Sequence, residues 1–253
     1  MGEHVARPTP TKNKRSNIFW NIVGVVGELL ITFAFVIGLF SVWQLYWTTY
    51  QVSGQVSQTI ASYEEEHQPA KRTQGEIRTD DPPAFDREVG DGEVYGIVHV
   101  PTWDWMKIPL AEGTTSYVLD QGWAGHYDMT TQPGGVGNFS VAGHRRTYGN
   151  NFRWIDRLTQ GDKVVVEVDD RYLVYSMVSS EIIDATDPTQ MRVVAPVIDD
   201  ESWSEVPTER WMTMTTCHPE YGNWQRYIVH LKFESWTPKD TGVPAELVDE
   251  PTN

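Results

Sequence analysis

The sequence predicts an all-β domain, a closed barrel or a sandwich with only brief helices, set behind one membrane-length apolar helix. Three observations point there. Strand-like runs recur at Val94–Val100, 138–142, Lys163–Val168, 172–178, 210–217 and 225–233. Turn-forming pairs such as Asp91-Gly92, Gly161-Asp162 and Asp169-Asp170 lie between them. Only one segment, near the N-terminus, is long and apolar enough for an extended helix. Runs of strands joined by short connections close into barrels or sandwiches.

Residues 1–17 are polar and carry Arg7, Lys12, Lys14 and Arg15 against Glu3 alone. Residues 18–47 are apolar with a single charge, Glu28. As a helix the stretch 22–43 measures about 33 Å, enough to cross a hydrocarbon core of about 30 Å. Trp20 at one end and Trp43, Tyr46 and Trp47 at the other are placed as interfacial belts. A cleaved signal peptide has a shorter apolar region and a small-residue cleavage site, whereas this run ends in bulky aromatics. The expectation is an uncleaved single-pass plasma-membrane anchor over 18–47. The basic flank puts residues 1–17 in the cytoplasm and everything after residue 50 outside. Glu28 lies one or two turns into the span, where protonation or reach to the headgroups makes it tolerable.

Residues 48–90 read as a stalk. They are poor in apolar residues, hold the run Glu64-Glu65-Glu66 and break at Asp80-Asp81-Pro82-Pro83, although 48–63 continue a helical pattern. Residues 237–253, with Pro238, Gly242, Pro244 and Pro251, read as an unstructured tail. Between them 91–236 forms the β-rich domain, with one short helix expected over 152–158.

A formal charge of −15 excludes nucleic acid as the partner, because phosphate binding needs a basic surface. No zinc-type Cys/His spacing occurs, so neither metal nor cofactor is expected, and Asp199-Asp200-Glu201 reads as a solvated loop. The 253 residues contain one cysteine, Cys217. It forms no internal disulfide, and in an exported domain a free thiol is an oxidation liability unless it is used. The competing reading is a small buried hydrophobe.

The strand context argues for use. Runs 210–217 and 225–233 flank the connection 218–224. Paired as a hairpin, they set Cys217 at the end of one strand opposite Arg226 at the start of the next. Alternation puts Tyr227, Val229, Leu231 and Phe233 on one face, and Arg226 on the other with Ile228 and His230. Cys217 shares its face with Thr213 and Thr215, away from Met212 and Met214. A nucleophilic thiol needs a base or charged partner. His99 and His230 lie inside strands, and His218 points away from its neighbour Cys217. His126 and His144 remain; His144 follows the strand 138–142 onto a loop, a frequent place for catalytic groups.

Thr213-Met214-Thr215-Thr216-Cys217 followed by Arg226 resembles the sortase signature, with Met214 in the place of leucine. The segment Asn138-Phe139-Ser140-Val141-Ala142-Gly143-His144-Arg145-Arg146-Thr147-Tyr148-Gly149 is similar to the sortase histidine segment, in the actinobacterial branch called class E. The run Gly27-Glu28-Leu29-Leu30-Ile31-Thr32 resembles that branch too. This resemblance implies a closed eight-stranded β-barrel with its active site at one end. By position it makes Cys217 the nucleophile, His144 the acid/base, Arg226 the stabiliser of substrate and oxyanion, and Thr216 a substrate contact. It further implies cleavage between Thr and Gly of a C-terminal Leu-Ala-x-Thr-Gly or Leu-Pro-x-Thr-Gly sorting signal on a secreted protein. The Thr is then joined to an amine of a cell-wall precursor or a pilin. An L,D-transpeptidase-like enzyme is the nearest enzymatic alternative, but its Ser-x-Gly-Cys-x-Arg context is absent. An inert tethered peptide- or glycan-binding module with Cys217 buried is the alternative outside catalysis.

Overall fold

The computed structural model describes residues 14–251, so most of the basic tail expected in the cytoplasm lies outside the described residues. The chain divides into two units, residues 1–46 and 47–253. Helix α1 (Lys14–Glu66) includes the stretch Ile18–Trp43, which is long and apolar enough to cross a membrane.

The second unit is a closed eight-stranded barrel. Its strands are β1 (Val94–Val100), β2 (Met106–Glu112), β3 (Ala124–His126), β4 (Gly137–Ala142), β5 (Lys163–Val168), β6 (Arg171–Asp184), β7 (Arg210–His218) and β8 (Gln225–Pro238). Around the barrel they run β1-β2-β3-β4-β7-β8-β6-β5 and close back on β1. The β2–β3 and β4–β7 pairs are parallel and the rest antiparallel. Gly92 and Gly161 take φ of 76° and 94°, left-handed conformations that suit glycine at the predicted turns. Strands β2 and β3 were not among the expected runs. The short helix expected over 152–158 shrinks to a single 3₁₀ turn, Ile155–Arg157.

Alternate residues fill the barrel: Val98, Leu110, Phe139, Val141, Val166, Leu173, Met212, Met214, Val229 and Leu231 are all fully buried. Several strands are apolar on the outer face as well, and that face needs a cover. Three segments supply it. Ile60 and Tyr63 of α1 pack on Ile97. Val243 and Leu247 pack on Val165, Tyr172 and Val174. The connection between β6 and β7 seats Val193 and Val194 against Ile183 and Ile228.

Two segments depart from what their sequence suggests. Residues 48–90 are not a free stalk. Helix α1 continues to Glu66, its part after residue 47 lies on the barrel, and the strap after it is held by backbone bonds to Trp236 of β8 and to the segment beyond it. Ala70 N–H donates to Lys239 O, Gly75 N–H to Val243 O, and Arg78 exchanges both of its backbone bonds with Trp236. The Phe85 ring then packs tilted against Tyr95, with centroids 5.5 Å apart. The tail is not unstructured either: a 3₁₀ turn, Ala245–Leu247, buries Leu247, and Glu250 is tied to His99. In both cases a few buried anchors and paired backbone groups impose order that local composition does not reveal.

Leu247 is 5% exposed, and removing a buried leucine costs about 2–5 kcal/mol. Leu247→Ala is therefore expected to lower the unfolding free energy measured in urea by an amount in that range, and the midpoint with it. An unchanged midpoint would restore the free-tail reading.

Candidate active site

The last two strands pair as the alternation requires. In the β7–β8 ladder Met214 lies opposite Val229, Thr215 opposite Ile228 and Cys217 opposite Arg226. Cys217 is partly exposed at the strand end, not a core hydrophobe. The Arg226 guanidinium donates to the carbonyls of Asn223 and Gln225 at 2.7 and 2.9 Å, which ties its head group to the loop.

The parallel β4–β7 pair delivers His144. Ala142 lies opposite Thr215, and Gly143 N–H still donates to Thr215 O at 3.1 Å. The next residue, His144, therefore leaves the sheet beside the end of β7. A side chain at Gly143 would meet the Phe152 ring at 2.8 Å, so the turn onto the loop requires glycine. His144 is partly exposed, with Nε2 2.8 Å from Asp120 Oδ1 and its ring 5.3 Å from that of Tyr148.

His126 has a different fate. It is fully buried, with Nδ1 2.9 Å from Glu112 and Nε2 on Thr130 Oγ1 and Thr131 O. Both ring nitrogens are engaged inside the barrel, which leaves none for a substrate. His99 and His230 are buried and engaged as well.

Thr216, expected as a substrate contact, is on the inward face. It is 3% exposed and its hydroxyl donates to Gly143 O at 2.6 Å. Strand alternation turns it away from the Cys217 face, and its bond fixes the backbone that presents His144.

Two arginines lock the loops together. Arg145 is buried, donates to His218 Nδ1 at 2.9 Å and to Asp156 at 2.8 Å, and lies 5.7 Å from the Tyr227 ring. Burial, reinforced by the Arg145 charge and only partly opposed by Asp156, holds the His218 value below the ordinary imidazole range. A neutral His218 keeps the lone pair that accepts from Arg145. Arg146 pairs with Glu220 and lies 4.6 Å over the Tyr221 ring.

Tyr127 was missed in the sequence reading. It is half-buried, and its hydroxyl bonds Thr215 Oγ1 at 2.9 Å. Burial raises its pKa, against the Thr215 bond and the Arg226 charge, so it stays a neutral phenol. Tyr127 and Trp203 rest against the Val193, Val194 and Ile228 cluster, which walls the site on one side. Asn138 fixes that wall by donating to the carbonyls of Val193 and Ala195, both at 3.1 Å. Asp200 caps the backbone of Ser202 and Glu205. Among the described residues no group of three or more His, Cys, Asp or Glu is set to hold a metal ion.

A family model described as Sortase domain matches residues 98–234. The chain is 36% identical over 229 residues to Sortase SrtE1 of Streptomyces coelicolor, covering 88% of this chain and 60% of that protein's length. It is 32% identical to Sortase SrtE2 of the same organism, covering 82% of this chain and 80% of the relative. Among solved structures, the SrtA sortase from Actinomyces oris is 43% identical with a TM-score of 0.64, over 70% of this chain and all of that one. Sortase E1 from Streptomyces coelicolor, solved with a tripeptide in its active site, is 38% identical with a TM-score of 0.55, over 63% of this chain and 99% of the other. On its fold, its paired strands and these matches, this chain belongs to the sortase family, in the actinobacterial class E branch.

Proposed function

We propose that this chain is a membrane-anchored cysteine transpeptidase that cleaves a C-terminal Leu-Ala-x-Thr-Gly or Leu-Pro-x-Thr-Gly signal between Thr and Gly. The acyl group then passes to an amine of a cell-wall precursor or a pilin. The observation that carries the reading is the register that sets Cys217 opposite Arg226, with His144 delivered beside them by β4. The tripeptide held by the related Sortase E1 supports a short peptide as the ligand of this site.

In the first step the Cys217 thiolate adds to the Thr carbonyl carbon. The tetrahedral intermediate collapses as the C–N bond breaks, and the His144 imidazolium gives its proton to the departing glycine amine. Arg226 carries a permanent charge and planar donors suited to the developing oxyanion. An incoming amine then gives up a proton to His144, attacks the thioester, and releases the thiolate with a new amide bond. The thioester stores the energy of the cleaved amide, so no cofactor is required.

The test is to incubate the full chain in detergent with a sorting-signal peptide and a small amine, and to weigh the products. A peptide joined through Thr to the amine is expected; intact peptide with active-site thiol present would reject the reading.

For topology, we propose that 18–47 spans the plasma membrane, with residues 1–17 inside and the barrel outside. A reporter fused after Asn253 is expected to work only outside the cytoplasm, and cytoplasmic activity would reverse the orientation.

A further inference from the structure

The proposed chemistry uses His144 but leaves unexplained why its ring is held by a carboxylate and why both loops beside it rest on helix α1. Asp120 follows α2 (Ser116–Leu119), and its backbone N–H donates to Ser116 O at 3.0 Å. Its Oδ1 lies 2.8 Å from His144 Nε2. On the next residue, Gln121 Oε1 accepts from Gln55 Nε2 of α1 at 2.7 Å. Gly122 comes next with φ of 78°. A side chain there would meet Val52 at 2.6 Å, Val56 at 2.9 Å and Tyr148 O at 3.0 Å. On the other side of His144, Tyr148 stacks near its ring and Gly149 approaches the same Val52. Val52 is 8% exposed, so the two loops converge on one buried side chain of the helix.

Resting on the transpeptidase reading, we propose that Asp120 is the positioning residue of His144, and that the α1 segment Val52–Val56 holds it in place. A carboxylate only accepts, so Nε2 keeps its proton and Nδ1 is left as the nitrogen that exchanges one. In acylation the S–C bond forms, the C–N bond breaks, and the Nδ1 proton moves to the glycine nitrogen. In resolution the amine proton returns to Nδ1 as the new C–N bond forms and the S–C bond breaks. Nε2–H stays on Asp120 throughout. The helix that follows the apolar stretch is thereby part of the catalytic apparatus and not only a tether.

The test uses the full chain in detergent micelles, with Asp120→Asn, Asp120→Glu, the pair Val52→Ala/Val56→Ala, and Cys217→Ala. Asp120→Asn is expected to lower kcat on the order of 10–100-fold with KM within about twofold, since misplacing a catalytic group by about an ångström costs this much. Asp120→Glu should restore part of the loss. Long-range proton–nitrogen spectra of histidine-labelled protein, with His144→Gln as the assignment control, should show neutral His144 in the Nε2–H form. Asp120→Asn should abolish that single form. The helix pair should give the same fall in kcat while the barrel still unfolds cooperatively. Wild-type kcat and an unchanged tautomer in Asp120→Asn would overturn the positioning role, and an unaffected helix pair would overturn the brace. Retained ligation by Cys217→Ala would instead sink the transpeptidase reading, whereas the tautomer result does not depend on activity.

Discussion

Cys217→Ala is expected to abolish both cleavage of a sorting peptide and its transfer to an amine, while His144→Ala and Arg226→Ala each lower the rate at least a hundredfold. The three losses differ in kind. Without the thiol no acyl-enzyme forms. Without His144 the glycine amine must leave unprotonated, and general acid catalysis is typically worth 10²–10⁴-fold. Without Arg226 the oxyanion loses a charged donor, and one such donor contributes about 3–4 kcal/mol, two to three powers of ten in rate. The backbone bonds from Arg226 to Asn223 and Gln225 mean its removal also loosens the loop, so KM should rise for Arg226→Ala and less for His144→Ala. Labelling Cys217 with a small thiol reagent in His144→Ala and Arg226→Ala, and a cooperative urea transition in Cys217→Ala, separate lost chemistry from lost folding. If His126→Ala proved the severe variant and His144→Ala mild, the assignment of the acid would be wrong.

The second large effect lies on the far flank of the barrel, where the tail and α1 meet β1 and β5. His99 is buried between Glu167 and Glu250, each at 2.8 Å. Lys239 pairs with Glu167 at 2.7 Å, and Lys107 pairs with Glu250 at 3.2 Å and Glu64 at 2.6 Å. Burial alone would lower the His99 value, but its two carboxylate partners outweigh burial and hold it up at about 9, against an ordinary 6.5. Burial would likewise raise Glu167 and Glu250, yet His99 and the lysines hold both below their ordinary 4.5.

A histidine raised on folding stabilises most below its unfolded value, and that contribution is lost as pH climbs through the folded value. The carboxylates act in the opposite sense and lose their contribution as pH falls below about 4.5. The network is therefore strongest between roughly pH 4.5 and 6.5. Between pH 6.5 and 9 stability should fall by on the order of 3 kcal/mol, the equivalent of the His99 shift. Urea midpoints across that range should decline for the wild type and run flat for His99→Gln. Parallel curves would show that His99 is not the group responsible. Glu250→Ala removes one partner and leaves His99 and Lys107 short of a countercharge, which for a buried pair costs about 3–5 kcal/mol.

The hairpin logic was legible because strand alternation is local: Val229 and Leu231 inside fix Arg226 outside, and Met212 and Met214 inside fix Cys217 outside. His144 was legible as the residue after a strand. Asp120 and Tyr127 carried no such signal, since α2 is a single turn and β3 only three residues, too short for any periodicity. The covered outer face did leave a trace. Val164-Val165-Val166 is apolar without alternation, as a strand buried on both faces must be. What covers it, Val243 and Leu247, lies in a segment whose prolines and glycine read locally as disorder. The strap through residues 70–80 was invisible for another reason, because backbone hydrogen bonds to Trp236 of β8 and to Lys239 and Val243 beyond it hold the strap and leave no side-chain pattern.

The proposed chemistry requires a covalent bond to Cys217. Mixing the full chain with a sorting-signal peptide in the absence of amine, then quenching in acid, should give an intact mass increased by the peptide acyl portion ending at Thr. Proteolysis should map that increase to Cys217, and a nucleophilic amine should discharge it faster than water does. A peptide cleaved with no mass ever appearing on Cys217, or an adduct that forms equally in Cys217→Ala, would contradict it.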